Sequence, residues 1–390
     1  MYSLIFLLLL YSTPIFFTIE SLFRTTHSTQ GYVVYLILVT GGVCLVSLVR
    51  AINSGLLIRV RALVFLWLAI FIMLGFWLTQ YRYGSSEPSY MKAFLFMGVQ
   101  VIPAIIIACF SKEEDVKQWQ TGIIFLDLLF TVSVWYCIIQ SGGIGLYNQA
   151  YNSEINTYAS LGYYMTYAYS FTLVLIINCR CVTWRKLFFK IGMMCIIPLQ
   201  LLAIFSLGGK APMLICVLVT IVVIMFCSRQ VQIGCSVAAV LGGIISIPYL
   251  MNLSSIKRLL NIAGDMSTIE RVILWTDAIE AGIERPILGN GIGSEFYVLD
   301  FRTHNIFTDV FVEYGMIGPI FVMSILLIVG GKLFSIARVN KEYLVLVVMY
   351  INSVLSLMVS GYYLADPVVW GICVYVLVNK RRKLCMQRER

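Results

Sequence analysis

Residues 286–330 read PILGNGIGSEFYVLDFRTHNIFTDVFVEYGMIGPIFVMSILLIVG, and this stretch decides how the chain is organised. Its second half is apolar enough to enter a bilayer. Its first half holds a glycine turn (Gly289, Gly291, Gly293) and the acids Glu295, Asp300, Asp309 and Glu313. It also holds His304, one of 2 histidines in the chain. A helix-loosening Gly315-x-x-Gly318-Pro319 follows. The longest polar segment of the protein therefore runs back into the membrane here.

Outward from this stretch, long apolar runs recur over all 390 residues. The chain is 60% hydrophobic and 12% charged, with a mean hydropathy of +0.90. Soluble domains carry roughly 25% charged residues. A bilayer core about 30 Å thick needs ~20 apolar residues per helix, and a β-barrel would show short alternating segments instead. The sequence predicts an all-α, polytopic integral membrane protein with about twelve spans. They fall near 2–19, 31–49, 60–79, 91–110, 121–140, 157–178, 187–207, 211–228, 231–250, 304–330, 343–360 and 362–379. The sixth is rich in tyrosine. Residues 2–19 lack a small-residue cleavage exit and read as a span that stays. Residues 1–390 form one transmembrane domain, with the polar loop 251–303 inside it.

The net charge of +9 reads as loop charge rather than a nucleic-acid surface. With the N-terminus inside, nineteen of the 28 Lys and Arg fall on the N-terminal side of the bilayer and nine on the other. The positive-inside rule then predicts both termini in the cytoplasm. Loop 251–303 would lie outside, on the periplasmic face of a bacterial inner membrane. The bilayer is the expected partner and nucleic acid is not. Nearly all of the 11 cysteines lie in apolar runs or at their cytoplasmic ends, and no Cys/His spacing suggests a metal.

Two outside loops differ in kind. Residues 141–156, SGGIGLYNQAYNSEIN, contain Tyr147 and Asn148. Tyrosine stacks on sugar faces and asparagine bonds hydroxyls, so this loop suits a hydroxyl-rich ligand; it reads equally well as a solvated connector. In loop 251–303, Ser267-x-x-Glu270 is a capping box. The helix it opens carries Ile269, Val272, Ile273, Thr276, Ile279 and Ile283 near one stripe, with its acids elsewhere. That pattern predicts a helix lying on the bilayer surface, ended by Pro286.

Three cations could carry chemistry. Arg271 and Trp275 are i, i+4 neighbours on that helix. The pair reads either as an Arg stacked on Trp among headgroups or as a guanidinium fixed by that stack and aimed at a phosphate. Lys210 lies in Ser206-Leu-Gly-Gly-Lys-Ala-Pro212, where one apolar run ends and the next begins. A lysine so near the membrane snorkels or has an anionic partner; the helix N-terminus beside it adds a positive dipole. His304, followed by Asn305, reads as a helix-start residue or as a general base near neutral pH.

These residues occur in an order that resembles a known family. Lys210 follows a broken outside-facing span. Arg271-x-x-x-Trp275 follows on a loop helix, then Pro286-x-x-Gly289-x-Gly291. His304-Asn305 leads into Glu313-x-Gly315-x-x-Gly318. The set resembles the O-antigen polymerase and O-antigen ligase superfamily, which builds or attaches bacterial surface glycans. The motif block covers about 205–320. Where that family often has an arginine in an S-x-S-R type segment, this chain has Lys210.

The resemblance implies a GT-C-like glycosyltransferase acting on undecaprenyl-diphosphate-linked oligosaccharides, with no metal or other cofactor. It also implies a partner protein that regulates chain length. The bond broken is then the one from anomeric carbon to diphosphate. Arg271 and Lys210 would stabilise the leaving group and His304 would deprotonate the acceptor hydroxyl. Asn305, Glu313, Trp275, Tyr147 and Asn148 are the expected substrate-binding residues. No carboxylate pair is evident across one bond, so a single inverting displacement is expected. The expected function is O-antigen polymerase. The alternatives are an O-antigen ligase acting on the lipid A core and, in another class, a transporter of lipid-linked sugars.

Overall fold

The computed structural model describes residue 9 and residues 12–23, 29–53, 60–84, 88–111, 113–140, 158–179, 183–234, 266–300 and 302–378. Among the described residues every regular element is a helix. Among the described residues five helices are long and apolar enough to cross a bilayer: Gly31–Val49, Tyr90–Phe110, Gly122–Gln140, Trp184–Leu207 and Ile317–Val339. Lys210–Met225 and Pro367–Val378 are shorter apolar helices. The chain is a multi-pass helical membrane protein in these segments. The ninth expected span and loop 141–156 lie largely or wholly outside the described residues, as does 251–265.

Burial separates the helices into an inner and an outer set. In Leu344–Leu357, seven consecutive residues from Leu344 to Tyr350 are buried. Most of Pro367–Val378 is buried too. A helix apolar all round must be covered by neighbouring helices or by lipid, and these two are covered by neighbours. The outer helices instead display Leu38, Trp67, Phe71 and Leu327, each about two-thirds or more exposed. That surface belongs in lipid.

The tyrosine-rich helix Tyr158–Asn178 sits on the inner side, which explains its composition. Its Thr166 Oγ1 donates to Asn352 Oδ1 at 2.7 Å, and Asn352 Nδ2 donates to Ser170 Oγ at 2.8 Å. Buried hydroxyls and amides serve as interhelical contacts where no water is available. At one end of this inner layer Asn178 Nδ2 donates to the Lys341 carbonyl. At the opposite end of the same helices lie the residues 358–366, which close over the polar stretch 286–314.

The expected tenth span, 304–330, is two helices. Ile306–Tyr314 stops at Gly315, and Ile317–Val339 begins two residues later. Gly315 has φ 61°, and a Cβ there would sit 2.6 Å from backbone atoms of Ile287 and Pro286. A side chain is therefore excluded by both conformation and space. The membrane span starts at Ile317, which leaves 302–314 above it. The spans expected at 343–360 and 362–379 are also shorter. Asp366 caps the second, accepting from Val368 N at 2.8 Å and Val369 N at 2.9 Å.

Candidate active site

The glycine turn is built onto the end of the helix Ile306–Tyr314. That helix leaves its last carbonyls without intrahelical donors. Asn290 N donates to Val312 O at 2.9 Å, and Gly291 N donates to Glu313 O at 3.0 Å. Gly289 has φ 67°, and a Cβ there would meet Glu313 O at 2.3 Å. From the other side Arg82 Nη1 donates to Asn290 O at 3.3 Å.

The loop helix Met266–Ile283 lies across this assembly. Ala278 and Ala281 face inward, and Gly282 leaves room for the ring of Phe311. Ile269, Val272, Ile273, Ile279 and Ile283 are exposed, so the apolar stripe read from sequence faces away from the protein. Two hydrogen bonds tie this helix to distant segments. Lys210 Nζ donates to Thr268 Oγ1 at 3.1 Å. Trp275 Nε1 donates to the Thr303 carbonyl at 2.9 Å. Arg271 lies between those two attachments, one turn from each. The expected stacking of Arg271 on Trp275 is absent among the described residues. A half-buried indole N–H needs an acceptor, and the Thr303 carbonyl supplies it.

His304 is outside the helix, not on its face. Its backbone is left-handed, with φ 59°. Such a conformation costs roughly 1 kcal/mol or more for a residue with a Cβ. Asn305 is the N-cap that follows, its Oδ1 accepting from Phe307 N at 2.9 Å. His304 Nδ1 lies 3.3 Å from the Ser360 carbonyl. A carbonyl can only accept, so this contact needs the proton on Nδ1 and leaves the lone pair on Nε2. Burial lowers the His304 pKa from its ordinary value; the positive charges of Arg302 and Arg271 act in the same direction. Imidazole here is a neutral base near pH 7.

The acids form a separate group behind the turn. Glu295, Asp309 and Glu313 are each 0% exposed. Glu313 Oε1 accepts from Gly293 N at 2.9 Å, and Tyr363 OH donates to Glu313 Oε2. Asp309 Oδ1 accepts from Thr303 N at 3.2 Å and Thr303 Oγ1 at 2.7 Å. Burial pushes the Glu295 and Glu313 carboxyls up. Asp309 is pushed up to about 7, by burial first and by Glu295 second. Neighbouring buried carboxyls cannot all ionise and share protons. Glu313, expected to contact substrate, is walled in and bonded to the glycine turn. Asn305 spends its side-chain oxygen on the cap.

Several neighbours of the site carry no local motif. The Arg302 guanidinium lies 5.3 Å from the centroid of the Tyr362 ring. Ser360, Tyr362 and Tyr363 come from the turn between the last two helices, and His304 and Ser360 are 56 residues apart. Nothing in their spacing marks them. Arg302 alone had a signal, a cation two positions before the histidine. Tyr147 and Asn148 lie outside the described residues.

Residues 193–323 match a family model described as O-antigen ligase. Over this segment the chain is similar to the O-antigen polymerase and ligase superfamily. No curated protein matches it. The superfamily segment covers about a third of the 390 residues and contains Lys210, Arg271, Trp275, His304, Asn305 and Glu313. Arg82 and the turn 358–366 lie beyond it, yet both bond directly to it. The superfamily consists of glycosyltransferase-like membrane enzymes of the polymerase and ligase kind.

Proposed function

We propose that this protein is an O-antigen polymerase that joins undecaprenyl-diphosphate-linked repeat units by inverting transfer on the periplasmic face. The twelve-span, GT-C-like layout with cytoplasmic termini belongs to the same proposal. The observation that carries it is the meeting of three distant segments at one end of the bundle. Lys210 bonds to the helix that bears Arg271, and that helix bonds through Trp275 to the residue before His304.

In this reading the half-buried cations Arg271 and Lys210 stabilise the diphosphate as it leaves. Guanidinium can grip it with two parallel bonds, and lysine acts as a point charge. Fixed charge aimed at the leaving group lowers the barrier without reorganising. His304 Nε2 takes the proton of the acceptor hydroxyl as that oxygen attacks the anomeric carbon. The Ser360 carbonyl holds the ring in the tautomer this needs. No metal enters the step. Asn305, Glu313 and Trp275 support the geometry through their bonds to backbone. Tyr147 and Asn148 are assigned to the glycan.

Purified protein given lipid-linked repeats should produce a ladder of lengthened chains, and His304→Ala should produce none. Absence of elongation by the wild-type protein would sink the polymerase reading and favour transport. A ligase reading is favoured by the description of the matched family. Cells lacking the gene separate the two. Single repeat units capping the lipid A core mean polymerase; an uncapped core means ligase. A chain-length regulator should co-purify with the polymerase.

A further inference from the structure

We infer that Asp309 and Trp275 are positioning residues that clamp Thr303 from two sides, and so hold His304 in register with Arg271. The inference rests on the reading of His304 as the base. It concerns residues whose side chains never need to touch the substrate.

All of the polar groups of Thr303 are engaged. Its N–H and its hydroxyl donate to Asp309 Oδ1, at 3.2 and 2.7 Å. Its carbonyl accepts from Trp275 Nε1 at 2.9 Å. The residue is 0% exposed. The peptide unit that leads into His304 is thereby fixed from the short helix on one side and from the loop helix on the other. His304 itself has φ 59°, a region that non-glycine residues occupy only when their surroundings over-determine it. Asn305 then caps the helix on the far side, so His304 is the single left-handed residue between two pinned ones.

Trp275 gives the clamp its functional meaning. It stands one turn after Arg271 on one rigid helix. The bond from its indole therefore sets how far the Arg271 side chain is from the imidazole. A base and a leaving-group cation must flank one bond at a fixed separation, and an error of about 1 Å can cost ~100-fold in rate. Asp309 is buried with Oδ1 taking both Thr303 donors, while its Oδ2 has no partner. Its use is thus local to Thr303. An asparagine oxygen could accept the same two bonds.

The test uses the full-length protein in lipid nanodiscs with undecaprenyl-diphosphate-linked repeats, measuring kcat and KM. Asp309→Ala should lower kcat about 30- to 100-fold, with KM moved less than about threefold, since placement and not binding is lost. Asp309→Asn should restore most of the rate. Trp275→Phe should lower kcat about tenfold. The double variant Trp275→Phe/Asp309→Ala should fall clearly short of the product of the single losses, because both act through one residue. If Asp309→Ala does not fold, Thr303→Val takes its place and should lose roughly three- to tenfold through the missing hydroxyl, which also lies 2.5 Å from Thr308 Oγ1 and 3.2 Å from the Asn305 carbonyl; Thr308→Val, which keeps the Asp309 bond, should lose less. Wild-type turnover in Asp309→Ala, no rescue by Asp309→Asn, or fully multiplicative losses would overturn the clamp. Activity persisting in His304→Ala overturns the base assignment instead, and the clamp falls with it. A dead His304→Ala beside an unaffected Asp309→Ala and Trp275→Phe sinks the clamp alone.

Discussion

Two groups of charge sit at the same end of this molecule and behave in opposite ways. The cations Lys210, Arg271 and Arg302 are half-buried, and the two arginines lie close enough to His304 to lower its pKa. The carboxylates Glu295, Asp309 and Glu313 are fully buried behind the glycine turn. The cations keep part of their surface for a ligand. Glu313 and Asp309 spend theirs on backbone N–H groups and on tyrosine and threonine hydroxyls, while both carboxyl oxygens of Glu295 are buried without a hydrogen-bond partner. Three of the four acids of the segment 286–314 are thus turned inward and only Asp300 is exposed, which leaves the half-buried cations as the charged groups beside His304 that a ligand could reach in the proposed reading. The buried acids maintain the shape of the turn.

This contrast can be broken from either side. The largest expected effect is on the imidazole: His304→Ala should reduce chain extension by about 100- to 10,000-fold, read as loss of the glycan ladder with the protein still in the membrane. Arg271→Ala should cost about 100- to 1,000-fold, and Arg271→Lys less, since charge survives without the fork. Both should leave thermal unfolding nearly unchanged. Glu313→Ala should do the reverse. It strips the partner from the buried Gly293 N, at roughly 1–3 kcal/mol for a donor left unpaired, and leaves Tyr363 OH only its 3.1 Å bond to Tyr314 OH. A lowered Tm in detergent checks it, and Glu313→Gln should recover part of the loss. An Arg271→Ala protein that unfolds as readily as Glu313→Ala would erase the distinction between the two groups.

The pH dependences are smaller and opposite in sign. His304 has a lowered pKa, so it stays neutral to a pH below its ordinary value of 6.5. The acid limb of kcat/KM should accordingly lie below 6.5. Arg302→Ala removes a repulsive charge and should move that limb upward. Asp309 has a raised pKa, so the folded state resists its ionisation. Its stabilising share is complete below the ordinary carboxylate range and is lost as pH rises to about 7. Thermal unfolding should occur at lower temperature near pH 8 than near pH 5, and Asp309→Asn should flatten that slope.

Much of this was legible in the chain. Lys210, Arg271, Trp275 and His304 could be picked out because their segments alternate with apolar runs, which assigns each to one side of a bilayer. The apolar stripe of the loop helix was legible for the same reason, a period that each residue carries in its own position. The role of Glu313 was not. A glutamate beside a histidine motif reads as chemistry until its burial is known. Nor was the break between Tyr314 and Ile317, since Gly315 is compatible with a loosened helix as well as with a stop. Ser360, Tyr362 and Tyr363 belong to a turn without a motif, and only packing brings them under residues 302–313.

Membrane class follows from hydropathy, which is a sum over short windows and needs no knowledge of neighbours. The tautomer of His304, the inward facing of the three acids and the clamp on Thr303 depend on contacts between segments tens of residues apart. Tertiary structure decided those, because burial and hydrogen-bond partnership are properties of what surrounds a side chain rather than of the side chain itself.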